Sequence, residues 1–214
     1  MIEAEAVAAS VVDLRPGSPA PAGIPAGVVV YSRDAAGRPA LEAFIQEGFR
    51  RKHGAAVRSF MPVLIGLHDT SGRIVGAAGY RGAAREPLYL EQYLDQPVEG
   101  LIAARRSGRA IPRAAVAEIG NFACNDCATA VAMVGVLAAF LLDQHHRWVV
   151  FTATRTVRGI MRHLGISLGE LGRADKSRVV VTTDDWGVYY ASDPRVMLGY
   201  VPSYRGAAHR IRSS

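Results

Sequence analysis

Apolar positions change period several times along this chain, and the changes mark out its elements. Residues 27–32, a run of valines closed by Tyr and Ser, read as a strand. From Pro39 the apolar residues Leu41, Phe44, Ile45 and Phe49 recur every three or four positions between charges, which predicts an amphipathic helix to about His53. Two apolar runs, 60–67 and 73–81, flank the Asp-Thr-Ser-Gly cluster at 69–72 and predict a β-hairpin. Residues 87–96 read as a short helix or extended cap, followed by a polar connection with Arg105, Arg106, Arg109 and Arg113. A strand at 116–122, a loop at 123–127, a long apolar helix at 128–145, a strand at 148–154 and a helix at 155–165 then follow in close order. The last expected elements are a strand at 178–182, an Asp-capped short helix at 184–192 and a closing edge strand at 195–201. Residues 1–26 carry Pro16, Pro19, Pro21 and Pro25 and show no sustained period. They read as a flexible arm ahead of one domain covering 27–214.

The stretch from strand 116–122 to the helix after it carries the chemistry. A helix that begins directly after a strand turns unpaired backbone N–H groups and the positive end of its dipole toward the loop, which suits an anion. Alternation on the strand puts Val116, Glu118 and Gly120 on one side and Ala117, Ile119 and Asn121 on the other. A carboxylate among apolar neighbours is costly to bury alone. Glu118 therefore either meets an arginine, with Arg81, Arg155 and Arg158 as candidates, or faces a cleft where a raised pKa suits a general base. The uncharged run 128–142 falls short of the ~18 residues a membrane span needs and is expected to be a helix buried between the sheet and another layer.

Composition narrows the classes. With 214 residues, half of them hydrophobic, the chain can bury one sizeable core. Its formal charge of +6 comes almost wholly from arginine, Lys52 and Lys176 being the only lysines. A basic surface speeds encounter with acidic carrier proteins, nucleotides or anionic membranes without choosing among them. No interleaving of aromatic and basic residues points to nucleic acid. The first residues lack the positive region of a secretory leader, so the cytoplasm is the expected compartment. Cys124 and Cys127 form a Cys-x-x-Cys at the helix start. Such a pair serves redox chemistry or half a zinc site, but the chain has neither a second cysteine pair nor well-spaced histidines, and two small residues lining a tight loop is the simpler reading.

The order of elements resembles the Gcn5-related N-acetyltransferase fold, an α+β, three-layer α/β/α arrangement around a central mixed, mostly antiparallel sheet. The segment Glu-Ile-Gly-Asn-Phe-Ala at 118–123 resembles the acidic-strand motif of acyl-homoserine-lactone synthases. More closely, the chain resembles the thermostable hemolysin family. The matching pieces are Phe-Met-Pro-Val-Leu at 60–64, Gly-Tyr-Arg-Gly-Ala at 79–83, Leu-Tyr-Leu-Glu-Gln-Tyr-Leu-Asp at 88–95, the segment 118–123, Phe-Thr-Ala-Thr at 151–154 and Asp-Trp-Gly-Val-Tyr-Tyr at 185–190.

The resemblance implies an acyltransferase that moves an acyl group from a thioester, on acyl carrier protein or coenzyme A, to a small-molecule amine. It implies no permanently bound cofactor and no metal, only acyl-CoA or acyl-phosphopantetheine as co-substrate. Glu118 would take the amine proton. The carrier arm would lie along Asn121, Phe122 and Ala123 and against Cys127, Ala128 and Thr129 at the helix start, with Arg155 and Arg158 on its phosphate. Arg81, Glu91 and Trp186 would bind the acceptor. Two departures stand out. The loop Cys-Asn-Asp-Cys-Ala-Thr has no glycine and carries Asp126, better placed to cap the helix than to welcome a diphosphate. Met161 stands where many members of the fold place the tyrosine that protonates the leaving thiolate, which leaves that step to water, to Tyr189 or Tyr190, or to no side chain at all, with Tyr190 the candidate acid among the side chains. A membrane-perturbing protein, as the family name suggests, and a non-catalytic module that binds an acylated partner are the alternatives. An exposed last strand would let two copies pair as a homodimer.

Overall fold

The computed structural model describes residues 27–163, 165–180 and 184–204; the expected N-terminal arm lies outside them. In chain order the elements are β1 (Gly27–Tyr31), α1 (Arg38–His53), β2 (Val63–His68), β3 (Ile74–Gly82), a 3-10 turn (Tyr89–Tyr93), α2 (Val98–Ala104), β4 (Val116–Cys124), α3 (Cys127–Asp143), β5 (Trp148–Ala153), α4 (Arg155–His163), β6 (Gly169–Arg173) and β7 (Arg195–Tyr200). The strands form one seven-stranded sheet in the order β1-β2-β3-β4-β5-β7-β6. Every neighbouring pair is antiparallel except β4 with β5. This is the mixed, mostly antiparallel α+β architecture expected.

Local chemistry sets the boundaries. α1 has a proline in its first turn, basic residues in its last, and stops at Gly54, whose φ of 63° needs a left-handed residue. The β2–β3 turn is tied by Asp69, which accepts from the N–H groups of Ser71 and Arg73 and from the Ser71 hydroxyl. α3 begins at Asp126, whose carboxylate accepts the N–H of Thr129.

One face of the sheet is covered by α3, whose Met133, Leu137 and Leu141 pack with Ile65, Leu67, Tyr80, Ala117 and Ile119. The other face carries two separate clusters. Leu41 and Ile45 of α1 join Met61, Leu64, Ala77 and Ala123. Leu88, Leu90, Val98 and Ile102, from the 3-10 turn and α2, join Val116, Trp148, Val150 and Leu198. Glu118 lies on this second face, where the clusters meet.

Several expectations are corrected. β7 lies between β5 and β6, so it is not an edge, and the pairing of two copies through an exposed last strand loses its basis. The outer strand at that end of the sheet is β6, Gly-Glu-Leu-Gly-Arg, too polar and glycine-bearing to show the alternation of a strand. The strand expected at 178–182 begins instead in a 3-10 turn, Lys176–Arg178, and its last two residues lie outside the described ones. Residues 184–192 do not form one helix. Asp185 pairs in a bridge with Ala56, and Gly187, at φ 49°, sits against the carbonyl of His53 where no side chain fits, so only Tyr189–Ser192 closes into a 3-10 turn. α3 is not sandwiched between two layers, since Ala128 and Ala139 on its outer face are open to solvent. α2 falls in the connection read as polar.

Candidate active site

The site is built where β4 leaves its neighbours. Against β3, the register runs from Arg81↔Glu118 through Gly79↔Gly120 and resumes at Ala77↔Ala123, so Ala78 alone faces Asn121 and Phe122. That is a β-bulge. Asn121 adopts φ 48°, a conformation its short amide tolerates better than most side chains. Its Oδ1 accepts the N–H of Met61 at 2.8 Å and its Nδ2 donates to the carbonyl of Ser59 at 3.2 Å. The extra residue reverses the alternation: Phe122 joins Ala117 and Ile119 on the α3 face, and Ala123 joins the α1 cluster. Against β5, pairing covers only Val116–Glu118 with Trp148–Val150. Beyond Val150, β5 continues along β7, from Phe151↔Met197 to Ala153↔Arg195, while β4 continues along β3. The sheet parts at Glu118.

Glu118 is 3% exposed, and both its oxygens are engaged. Oε2 accepts the N–H of Tyr89 at 2.8 Å and Oε1 that of Leu90 at 3.0 Å, so the carboxylate holds the start of the 3-10 turn that covers it. Burial pushes its carboxyl up to about 7. The guanidinium of Arg81 and the two N–H donors oppose that rise, and the charge of Glu91 adds to it. The partners of this acid are backbone N–H groups and not the arginine ion pair weighed from the sequence. Among the described residues no salt bridge joins Glu118 to Arg81, Arg155 or Arg158. Arg81, opposite Glu118 in the ladder, donates to the carbonyl of Pro87 and sits 3.5 Å from Glu86. A buried acid poised near neutral pH, beside strands that diverge, can accept and return a proton.

The other candidates separate into those near this point and those tied elsewhere. Trp186 and Tyr190 lie in an aromatic group with Phe49 of α1 and with Tyr89 and Tyr93 of the 3-10 turn, Tyr89 being the residue whose N–H bonds to Glu118. The Tyr190 hydroxyl shares a 2.7 Å hydrogen bond with that of Tyr93, and its pKa is pushed up to about 12, chiefly by burial. Glu91 is engaged elsewhere. Arg113 donates to both its oxygens at 2.7 Å, and the N–H of Val98 adds a third bond, so it secures α2. Burial opposes ionisation there, yet the Arg113 contacts hold the carboxyl below its ordinary range. Arg158 donates to the Asp193 carboxylate and to the carbonyls of Ala153 and Asp193, which joins α4 to the turn before β7. Arg155 is exposed at the start of α4.

At the start of α3, Cys127 and Ala128 are exposed and Thr129 is buried. The first turn already holds an anion of its own, the Asp126 carboxylate, 2.7 Å from the N–H of Thr129. That bond keeps the Asp126 carboxyl below its ordinary range. Where a thioester's phosphate was expected, a fixed negative charge stands. The thiol of Cys124 is pushed up to about 12, first by burial and then by Asp126, which disfavours its thiolate.

Sequence reading missed what braces the bulge. Asp184, taken for a helix cap, accepts the N–H groups of Arg58 and Ser59. Arg38, 5% exposed, donates to the carbonyls of Met61 and Pro62. With Asn121 these side chains fix residues 58–62 beside the parted strands. An arginine at the first position of a helix and an aspartate nearly 150 residues further along the chain give no local sign of a shared target.

Comparison with solved structures places the fold. The AHL synthase LasI matches with a TM-score of 0.56 at 15% identity, over 85% of this chain and 92% of that one. FeeM, an N-acyl amino acid synthase from uncultured soil microbes, matches with 0.56 at 17%, over 84% and 93%. The apo form of TofI matches with 0.55 at 15%, over 85% and 94%. No curated protein matches the chain. A sequence model described as thermostable hemolysin matches residues 31–204, which takes in every strand but β1, and the chain belongs to the thermostable hemolysin family.

Proposed function

We propose that the protein is an acyltransferase that passes an acyl group from a thioester, on acyl carrier protein or coenzyme A, to a small-molecule amine. The observation that carries this reading is the parting of β4 and β5 immediately beyond Glu118. Strand backbone without a strand partner across the gap can pair with the amides of a pantetheine arm, and the acid beside it has a pKa near 7. In this reading Glu118 takes the proton from the attacking amine, directly or through water. The bulge and strand N–H groups polarise the thioester carbonyl as it gains charge. The amine nitrogen bonds to the carbonyl carbon, the carbon–sulfur bond breaks, and the thiolate leaves. Tyr190, with Tyr93 on its hydroxyl, is the nearest candidate to reprotonate it. The similarity in fold to an AHL synthase and an N-acyl amino acid synthase supports acyl transfer as the class of reaction. No helix among the described residues is long and apolar enough to cross a membrane.

The test is thioester consumption by the wild-type protein and Glu118→Gln, with acyl carrier protein and coenzyme A donors and a panel of primary amines. Acyl transfer by the wild type and a loss of at least about 100-fold in the variant is the result expected of a removed general base. Equal rates would take Glu118 out of the mechanism, and binding of acyl donor without turnover would make the protein a carrier-binding module.

A further inference from the structure

We propose that the side chain of Met61 limits the size of the amine that reaches Glu118; this rests on the acyltransferase reading above and adds what selects its acceptor. Gly79 and Gly120 stand directly opposite each other in the β3–β4 ladder, and neither has a positive φ, so the backbone itself does not demand glycine at either position. What demands it is space. A Cβ on Gly79 would lie 2.7 Å from Met61 Cβ and Cγ, and one on Gly120 would lie 2.6 Å from Met61 Cε. Two missing side chains make a hollow in the sheet surface, and one methionine, 7% exposed, fills it.

The hollow adjoins the acid. Gly120 and Glu118 are two residues apart on the same side of a regular stretch of strand, about 7 Å from one another. On that face Met61 covers Gly120, the next position along the strand from Glu118, while the start of the 3-10 turn, at Tyr89 and Leu90, lies against the acid itself. An amine that approaches the carboxylate from this face must lie between them. The backbone of Met61 cannot retreat, because Asn121 accepts its N–H at 2.8 Å and Arg38 donates to its carbonyl at 2.7 Å. The side chain alone sets the room available, and an unbranched thioether adapts to a small guest while still excluding a bulky one. The acceptor class this favours is a compact primary amine, unbranched next to nitrogen.

The test is competition between a small and a branched, larger amine in one reaction, which reads the ratio of their kcat/KM values from the product ratio and is insensitive to how much of a variant is folded. Met61→Ala should shift that ratio toward the larger amine by at least about tenfold, since a single methylene in a pocket is worth about 10-fold or more. Met61→Val, which leaves a smaller hole, should shift it the same way by less. Glu118→Gln should suppress both products. An unaltered ratio in both Met61 variants, with both products lost in Glu118→Gln, overturns the assignment of Met61 and leaves the acyltransferase reading in place. Full formation of both products by Glu118→Gln overturns that reading, and the assignment of Met61 with it.

Discussion

A carboxyl whose pKa stands at about 7 in the folded chain, against an ordinary value of 4.5, binds its proton more tightly folded than unfolded. Glu118 therefore contributes stability that is fully present below pH 4.5 and is lost as pH rises through 7. The shift corresponds to about 3 kcal/mol between those limits. Asp126 and Glu91 act in the opposite sense, since their folded values are depressed and their contributions are lost as pH falls. Glu118→Gln isolates the one term, because glutamine can still accept an N–H but does not titrate. Urea unfolding at pH 5 and pH 8 should show the wild type losing up to about 3 kcal/mol more than the variant over that interval. Equal pH dependence would mean that Glu118 ionises in the fold as it does in water. The same ionisation should govern catalysis, with kcat/KM rising through pH 7 to a plateau and that rise absent from the residual activity of the variant.

At the scale of elements, the hydrophobic period located most of the strands and helices, because these are the segments whose burial writes a period into the chain. It placed α1, β3, α3, β5 and α4 within a few residues. The bulge left no such trace. Glu-Ile-Gly-Asn-Phe-Ala at 118–123 alternates plausibly as an unbroken strand, and the phase slip shows only in the pairing with β3 and in the bonds from Asn121 to residues distant in sequence, Ser59 and Met61. The start of α3 was more legible, since Asp126 ahead of an apolar run is a cap by local rules alone, and it does cap. That cap makes a prediction about the donor. Asp126→Asn keeps an N-cap of equal quality while it removes the charge, so the helix should keep its stability to within about 0.5 kcal/mol. If the donor's phosphate lies at this helix start, KM should fall several-fold, and more for an acyl-CoA, with its additional phosphates, than for an acyl carrier protein with a single phosphodiester. An unchanged KM for both donors would place the phosphate elsewhere, with exposed Arg155 the next position to test.

For the molecule as a whole, the sheet is two sub-sheets, β1–β4 and β5–β7–β6, joined by three residue pairs at Val116–Glu118 and Trp148–Val150. That division was not readable from the order of elements, because it depends on which strand each partner follows after the junction, and on β6, whose polar, glycine-bearing run hid the true edge. It has a measurable consequence. Amides of β2, β3, β5 and β7 are paired along most of their length and should exchange slowly with deuterated solvent. Along 119–124, roughly alternate backbone groups bond to β3 and the others turn toward the gap, so this stretch should exchange faster than either ladder beside it. A non-reactive thioester analogue laid between the sub-sheets would occupy those groups. Hydrogen exchange should then slow specifically in 119–124 and in the facing part of β5, with the β1–β2 ladder unaffected. Protection that appears only at a distance from the junction, or nowhere at saturating analogue, would show that the gap between β4 and β5 does not receive the acyl donor, and the proposed chemistry would lose the feature on which it is built.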